Sequence, residues 1–86
     1  MELRELRSFC VVAELRSISK AAERLGIGQP AVTMHIKKLE QGMGAILLNR
    51  ETRPISLTPA GAALAKLATP LVNAESKCSR LAKQQS

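Results

Sequence analysis

The chain has 86 residues, with 13 lysines and arginines against 7 acidic residues, all of them glutamate, for a formal net charge of +6. This length predicts one small domain of marginal stability, for which oligomerisation is a common remedy. The charge favours a polyanionic partner, nucleic acid or an anionic membrane, although many solvated surfaces are also basic. Apolar runs such as 10–13 and 45–48 are too short to cross a bilayer, and no signal core follows the first residues, so no membrane-spanning segment is expected. A membrane-surface role for the basic C-terminal helix is possible but disfavoured, because its apolar stripe is rich in alanine and lacks Trp or Phe anchors, and no membrane partner is expected.

The residues that usually carry catalysis or bind metals are sparse. Cys10 and Cys78 form no CxxC motif or Cys/His cluster, and they are interpreted as reduced thiols of a cytoplasmic protein. The single histidine, His35, has no glutamate three or four residues away, and no glycine-rich phosphate loop is present. The sequence therefore predicts no enzyme, no metal site and no cofactor.

Three helices are predicted in the first half of the chain. The first has an apolar stripe of Leu3, Leu6, Phe9, Cys10 and Ala13, and it ends near residue 15 or 16. The second is short, 20–25, with Ser19 as its N-cap and Gly26 as its stop. The third begins at Gln29 and Pro30 and stops near 42–44. Ile27, between two glycines, is expected to fill the angle between the second and third helices.

The second and third helices have helix-turn-helix form. At about 100° per residue, one face of the third helix is apolar, with Val32, Ile36, Leu39 and Met43. The opposite face carries small, polar and basic side chains: Pro30, Thr33, Met34, Lys37, Lys38 and Gln41.

Such a face suits the major groove of DNA. The Gln29 amide can pair with adenine, Thr33 or Met34 can touch a thymine methyl group, and Lys37 and Lys38 can meet phosphates. A merely solvated amphipathic helix explains this face equally well when it is considered alone. The turn, the short second helix and a basic hairpin that follows the third helix together favour DNA.

A β-hairpin is predicted from two apolar runs, 45–48 and 55–57, which flank a basic loop. Arg50, Arg53 and Pro54 lie in that loop. A wing of this kind can reach a minor groove or the DNA backbone, where arginine is favoured by the negative potential. A solvated charged turn is the alternative.

A long last helix is predicted from Thr58 as N-cap and Pro59 at the first position, running to about Lys83. Its apolar residues recur at spacings of three and four and define a seam of Leu64, Leu67, Leu71, Ala74, Cys78 and Leu81. A partner helix could cover this seam, or the first helix of the same chain could cover part of it. Pro70 predicts a kink, or fraying beyond it.

The order and spacing of several motifs resemble the N-terminal domain of LysR-type transcriptional regulators, from Leu3 to about Leu71. The matching pieces are 19–25, 29–33, Ile36, 39–40, Gly44, Leu47, Arg50 and 57–61.

The resemblance implies a mostly helical fold, a winged helix-turn-helix over 1–57, and a linker and dimerisation helix over 58–86. It implies a homodimer that binds an interrupted inverted repeat in double-stranded DNA. It also implies a bacterial cytoplasmic regulator whose small-molecule effector binds a C-terminal domain outside this chain. A winged helix that binds another protein is the alternative.

The resemblance implies DNA contacts from Gln29, Pro30, Ala31, Thr33, Met34 and Arg53. Met34 departs from the family pattern, which is often polar or basic there. The operator is therefore expected to differ at the corresponding base.

Overall fold

The computed structural model describes residues 1–85 and has four helices and one antiparallel hairpin within that range. The elements are α1 (Leu3–Leu15), α2 (Ile18–Leu25), α3 (Gln29–Met43), β1 (Leu48–Asn49), β2 (Ser56–Leu57) and α4 (Pro59–Gln85). This order confirms the predicted mostly helical, winged helix-turn-helix fold followed by a long helix.

The boundary between α1 and α2 differs from the prediction. Ser17, not Ser19, is the N-cap of α2, and its Oγ accepts the amide hydrogen of Lys20 at 3.2 Å. Ile18 is thereby the first residue of the helix, and it packs against the core. The prediction was wrong by two residues because two serines of equal capping ability flank an isoleucine whose burial decides between them.

The core lies where α1 crosses α3. Phe9, Val12, Val32, Ile36 and Leu39 are fully buried there. Two residues predicted to belong to the apolar stripes, Leu3 and Met43, are 40% and 41% exposed. Each lies at the end of its helix, where the neighbouring helix no longer covers it.

The hairpin is anchored to α3 by Glu40. One oxygen of its carboxylate accepts the amide hydrogens of Leu47, at 2.9 Å, and Leu48, at 3.4 Å. Leu48 pairs with Leu57 and Asn49 with Ser56. The strands are shorter than the predicted runs. Just before β1 the amide of Leu47 bonds to Glu40 of α3, and the carbonyl of Leu47 accepts the amide hydrogen of Thr58, just after β2, at 3.0 Å.

The long helix begins as predicted. Thr58 caps it, since its Oγ1 accepts the amide hydrogen of Gly61 at 3.0 Å, and its hydroxyl donates to the carbonyl of Ile46 at 2.5 Å. Ala68 and Val72 are buried in the core cluster, on the side of α4 that packs on α1. The helix continues through Pro70 to Gln85, so the fraying expected beyond the proline is not seen in the described residues.

Within residues 1–85, no helix combines the length and the apolar character that crossing a membrane requires.

Candidate nucleic-acid interface

The exposed face of α3 gathers most of the predicted base-reading residues. Gln29, Pro30, Thr33, Met34 and Lys37 line one shallow, open depression. Met34 is 52% exposed, so the apolar end of its side chain is available to a ligand. The depression combines an amide, a hydroxyl, a thioether and an ammonium group, which is a suitable set for hydrogen bonds and methyl contacts in a major groove.

Ala31 and Lys38 lie outside this depression. Ala31 is half-buried and lines a separate pocket beside α1, together with Ile27 and His35. Lys38 is exposed and is placed about 100° around α3 from Lys37. The structure therefore groups five of the seven residues predicted on α3 and leaves these two at its margin.

The turn between α2 and α3 is built differently from the prediction. Gly26 adopts a left-handed conformation, with φ of 71°, which supports its role as the stop of α2. Ile27 is 37% exposed and does not fill the angle between the helices. The buried side chains of α2 are those of Ala21 and Ala22, whose small size lets the two helices approach without a plug.

A hydrogen bond between α1 and α3 fixes the orientation of His35. Its Nδ1 lies 2.7 Å from the Oγ of Ser8, which is only 1% exposed. The sequence gives no signal for this pair, because Ser8 and His35 are 27 residues apart in the chain. The pair satisfies a buried hydroxyl and directs the imidazole toward α1, away from the depression.

The two arginines of the wing have different surroundings. Arg50 Nη2 lies 3.9 Å from an oxygen of Glu40, so its charge is partly balanced and it ties the wing to α3. Arg53 donates to the carbonyl oxygens of Arg50 and of Thr52. Carbonyl groups carry no formal charge, so these contacts leave the positive charge of Arg53 uncompensated beside the exposed Pro54.

The wing tip is ordered by its own short polar side chains. Asn49 Oδ1 accepts the amide hydrogen of Glu51 at 3.1 Å, and the hydroxyls of Thr52 and Ser56 lie 3.0 Å apart. Such bonds stabilise tight turns. The wing is therefore an ordered basic loop, and it follows α3 along the chain after a short connection.

The predicted seam on α4 is largely exposed. Leu67, Leu71 and Leu81 are 72%, 60% and 57% exposed, and Ala74 and Cys78 are also exposed. Of the seam residues, Leu64 is half-buried and packs against the core. The face that contacts α1 is centred on Ala68 and Val72, about a quarter turn away. The first helix of the same chain therefore covers only the start of the seam.

The Cys10 thiol is half-buried on α1, next to Thr69 of α4. Burial raises the pKa of the Cys10 thiol, and a hydrogen bond with Thr69 partly opposes that rise. A thiol with a raised pKa is protonated at neutral pH and is a poor nucleophile. Within residues 1–85, no three His, Cys, Asp or Glu side chains come together as a metal ion would require.

Comparison with known proteins agrees with this geometry. Residues 3–62 match the model of the family described as bacterial regulatory helix-turn-helix protein, lysR family. The chain is 51% identical over 63 residues to the transcriptional regulator TfdS of Cupriavidus pinatubonensis, covering 73% of this chain and 21% of the relative. It is 48% identical over 61 residues to BenM of Acinetobacter baylyi, covering 71% of this chain and 20% of that protein. The chain thus spans about a fifth of the length of these curated relatives.

Solved structures give the same result over nearly the whole chain. The crystal structure of the DNA-binding domain of BenM in complex with catB site 1 DNA superposes with a TM-score of 0.87 at 38% identity. The match covers 98% of this chain and 93% of that one.

Proposed function

Because the chain belongs to the lysR family of bacterial regulatory helix-turn-helix proteins, we propose that it binds double-stranded DNA sequence-specifically and thereby regulates transcription. The observation that carries the proposal is the exposed depression on α3, which is followed along the chain by the basic wing. The solved complex of a similar domain with DNA supports it. We infer a cytoplasmic location, because bacterial chromosomal DNA lies there.

In the proposed complex, α3 enters the major groove with its N-terminal end foremost. Gln29 reads a base, Thr33 and Met34 contact methyl groups, and Lys37 and Lys38 bind phosphates. Pro30 and Ala31 let the backbone approach the DNA closely. At the wing, Arg53 and Pro54 reach the minor groove or the adjacent backbone, while Arg50 supports the wing through Glu40.

We also propose a homodimer through α4. The exposed leucines of the seam give it an apolar surface that this chain does not cover. An antiparallel pair centred between Leu71 and Ala74 would place two leucines of each helix beside a smaller residue of the other. In this register Leu64 faces the partner's Leu81, Leu67 the partner's Cys78, and Leu71 the partner's Ala74. A twofold dimer presents two copies of α3, and its target is therefore an interrupted inverted repeat.

Two further assignments stay predictions. One is the division into a DNA-binding unit over 1–57 and a dimerisation helix over 58–86. The other is a small-molecule effector bound by a C-terminal domain of the full regulator. The regulators to which the chain is similar give no reason to expect an enzyme.

Binding to duplex DNA should weaken steeply with salt. Each phosphate that the protein neutralises contributes about −0.9 to the slope of log affinity against log salt concentration. A gel-shift or fluorescence titration on random duplex at several salt concentrations measures this slope. Failure to bind at low salt would contradict the DNA proposal and favour the winged helix that binds another protein.

Gln29→Ala should reduce affinity for the selected operator by about 1–3 kcal/mol, and affinity for random duplex much less, because a base contact is lost. Lys37→Ala, at the other end of the same depression, is the matched control and should weaken both about equally. The operator is first obtained by binding-site selection from random duplex. An unchanged ratio of specific to random binding in Gln29→Ala would limit the residue to a positional role.

A further inference from the structure

The rod formed by α4 has a point near its middle where bending is easiest. Pro70 has no amide hydrogen, so the carbonyl of Lys66 loses its helical hydrogen bond. One residue earlier, the hydroxyl of Thr69 donates to the carbonyl of Ala65 at 2.7 Å, a type of bond that often bends helices. Beyond this point, residues 77–84 are all exposed. The direction of the distal half therefore depends on contacts made just after the proline.

One such contact joins the distal half of α4 to α1. Arg7 Nη2 donates to Glu75 Oε1, and Ser79 Oγ donates to Glu75 Oε2 at 2.8 Å. These three residues are called here the α1–α4 clasp. The side chains of Arg7 and Glu75 are 38% and 27% exposed, so water screens the pair only in part. The clasp uses both carboxylate oxygens, one toward α1 and the other toward the next turn of α4.

We propose that the α1–α4 clasp is a positioning device that sets which half-site spacing the dimer prefers. This inference rests on the proposed function, since it requires two DNA-binding units joined through α4. The distal half, residues 71–85, is about 22 Å long at 1.5 Å per residue. A bend of about 10° at its base displaces its end by about 4 Å, close to the 3.4 Å rise of one base pair. Without the clasp, the half-site spacing that the dimer accepts should therefore vary by about one base pair.

The test uses a series of operators in which the spacer between half-sites is shortened by one base pair or lengthened by one or two. The unmodified chain should prefer one spacing. Arg7→Gln should reduce that preference about two- to fivefold, the range that an ion pair of this exposure supplies. Its affinity for an isolated half-site should not change, because Arg7 lies outside the depression on α3.

The chain offers a matched control. Arg24 Nη1 lies 2.7 Å from Glu14 Oε2, an ion pair that joins α1 to α2 and makes no link to α4. Arg24→Gln removes an equivalent charge and should leave the spacing preference unchanged. The charge exchange Arg7→Glu with Glu75→Arg should restore it.

A second measurement needs no DNA. Spin labels on Arg80→Cys, which is exposed and lies on α4 away from the seam, and on Glu23→Cys report the distance from the DNA-binding unit to the distal half of α4. The background is Cys10→Ser with Cys78→Ala, diluted with unlabelled protein. The distribution should be narrow with Arg7 present and broad in Arg7→Gln. An unchanged spacing preference in Arg7→Gln, on a chain that binds its operator, would overturn this inference alone. A chain that binds no duplex would overturn both this inference and the proposed function.

Discussion

Gly61→Ala is expected to destabilise the fold by about 3 kcal/mol or more, the upper range for overpacking a buried site. A Cβ added at Gly61 would lie 2.0 Å from the carbonyl oxygen of Leu47 and 2.9 Å from its carbonyl carbon. These are backbone atoms, and the neighbouring amide of Leu47 is held to Glu40 at 2.9 Å. The clash can therefore be relieved only by moving α4 away from the segment before β1. Urea unfolding followed by circular dichroism measures the loss.

Gly42→Ala is the matched control for this change. Gly42 lies inside α3, and a Cβ there would meet no atom within 4 Å. Since alanine favours a helix over glycine by about 0.8–1.0 kcal/mol, this variant should be neutral or more stable. If both variants lost stability equally, the close approach of α4 to Leu47 would not be the cause.

Leu67→Lys combined with Leu71→Lys should convert the proposed dimer into a folded monomer. Burial in a partner's seam would contribute roughly 1.5–3 kcal/mol for each leucine, whereas a lysine there would have to bury its charge beside the partner's Cys78 or the partner's Ala74. Both leucines are largely exposed in the single chain, so its own fold should be little affected. Affinity for a two-half-site operator should fall by about a hundredfold or more, because the second DNA-binding unit no longer binds intramolecularly. Sedimentation equilibrium and operator titration measure the two effects.

The control adds the same charge to another side of the helix. Ala62 and Asn73 are exposed and lie about 150° around α4 from the two leucines. Ala62→Lys with Asn73→Lys should therefore leave the dimer intact. A wild-type chain that stays monomeric at high concentration, with and without DNA, would contradict the dimer.

The antiparallel register can be tested separately. In a Cys10→Ser background, Leu67→Cys should form a disulfide with the partner's Cys78 when an oxidant is added, since the register places them opposite each other. Leu64→Cys should cross-link to Cys78 less efficiently. Equal yields at both positions would point to a different register.

Features determined by neighbouring residues could be predicted from the sequence alone. The Thr58 cap, the stop at Gly26 and the start of α3 at Gln29 and Pro30 depend on backbone groups within a few positions. Helical periodicity likewise identified the exposed face of α3. The sequence alone therefore predicts the amide, hydroxyl and ammonium groups of that face.

Contacts between distant segments were decided only by the tertiary structure. Ser8 with His35 and Arg7 with Glu75 each depend on how the helices cross, and local sequence carries no signal for them. The ends of the apolar stripes depend on the same crossing, since Leu3 and Met43 extend past it into solvent.

The seam on α4 depends both on the local sequence and on the tertiary structure. Its spacing of three and four is a property of the sequence, but whether α1 or a second chain should cover it is not. Which of the two covers the seam depends on the face that α4 turns toward α1. Ala68 and Val72 lie on that face and are buried in the core against α1. Leu67 and Leu71 therefore face outward.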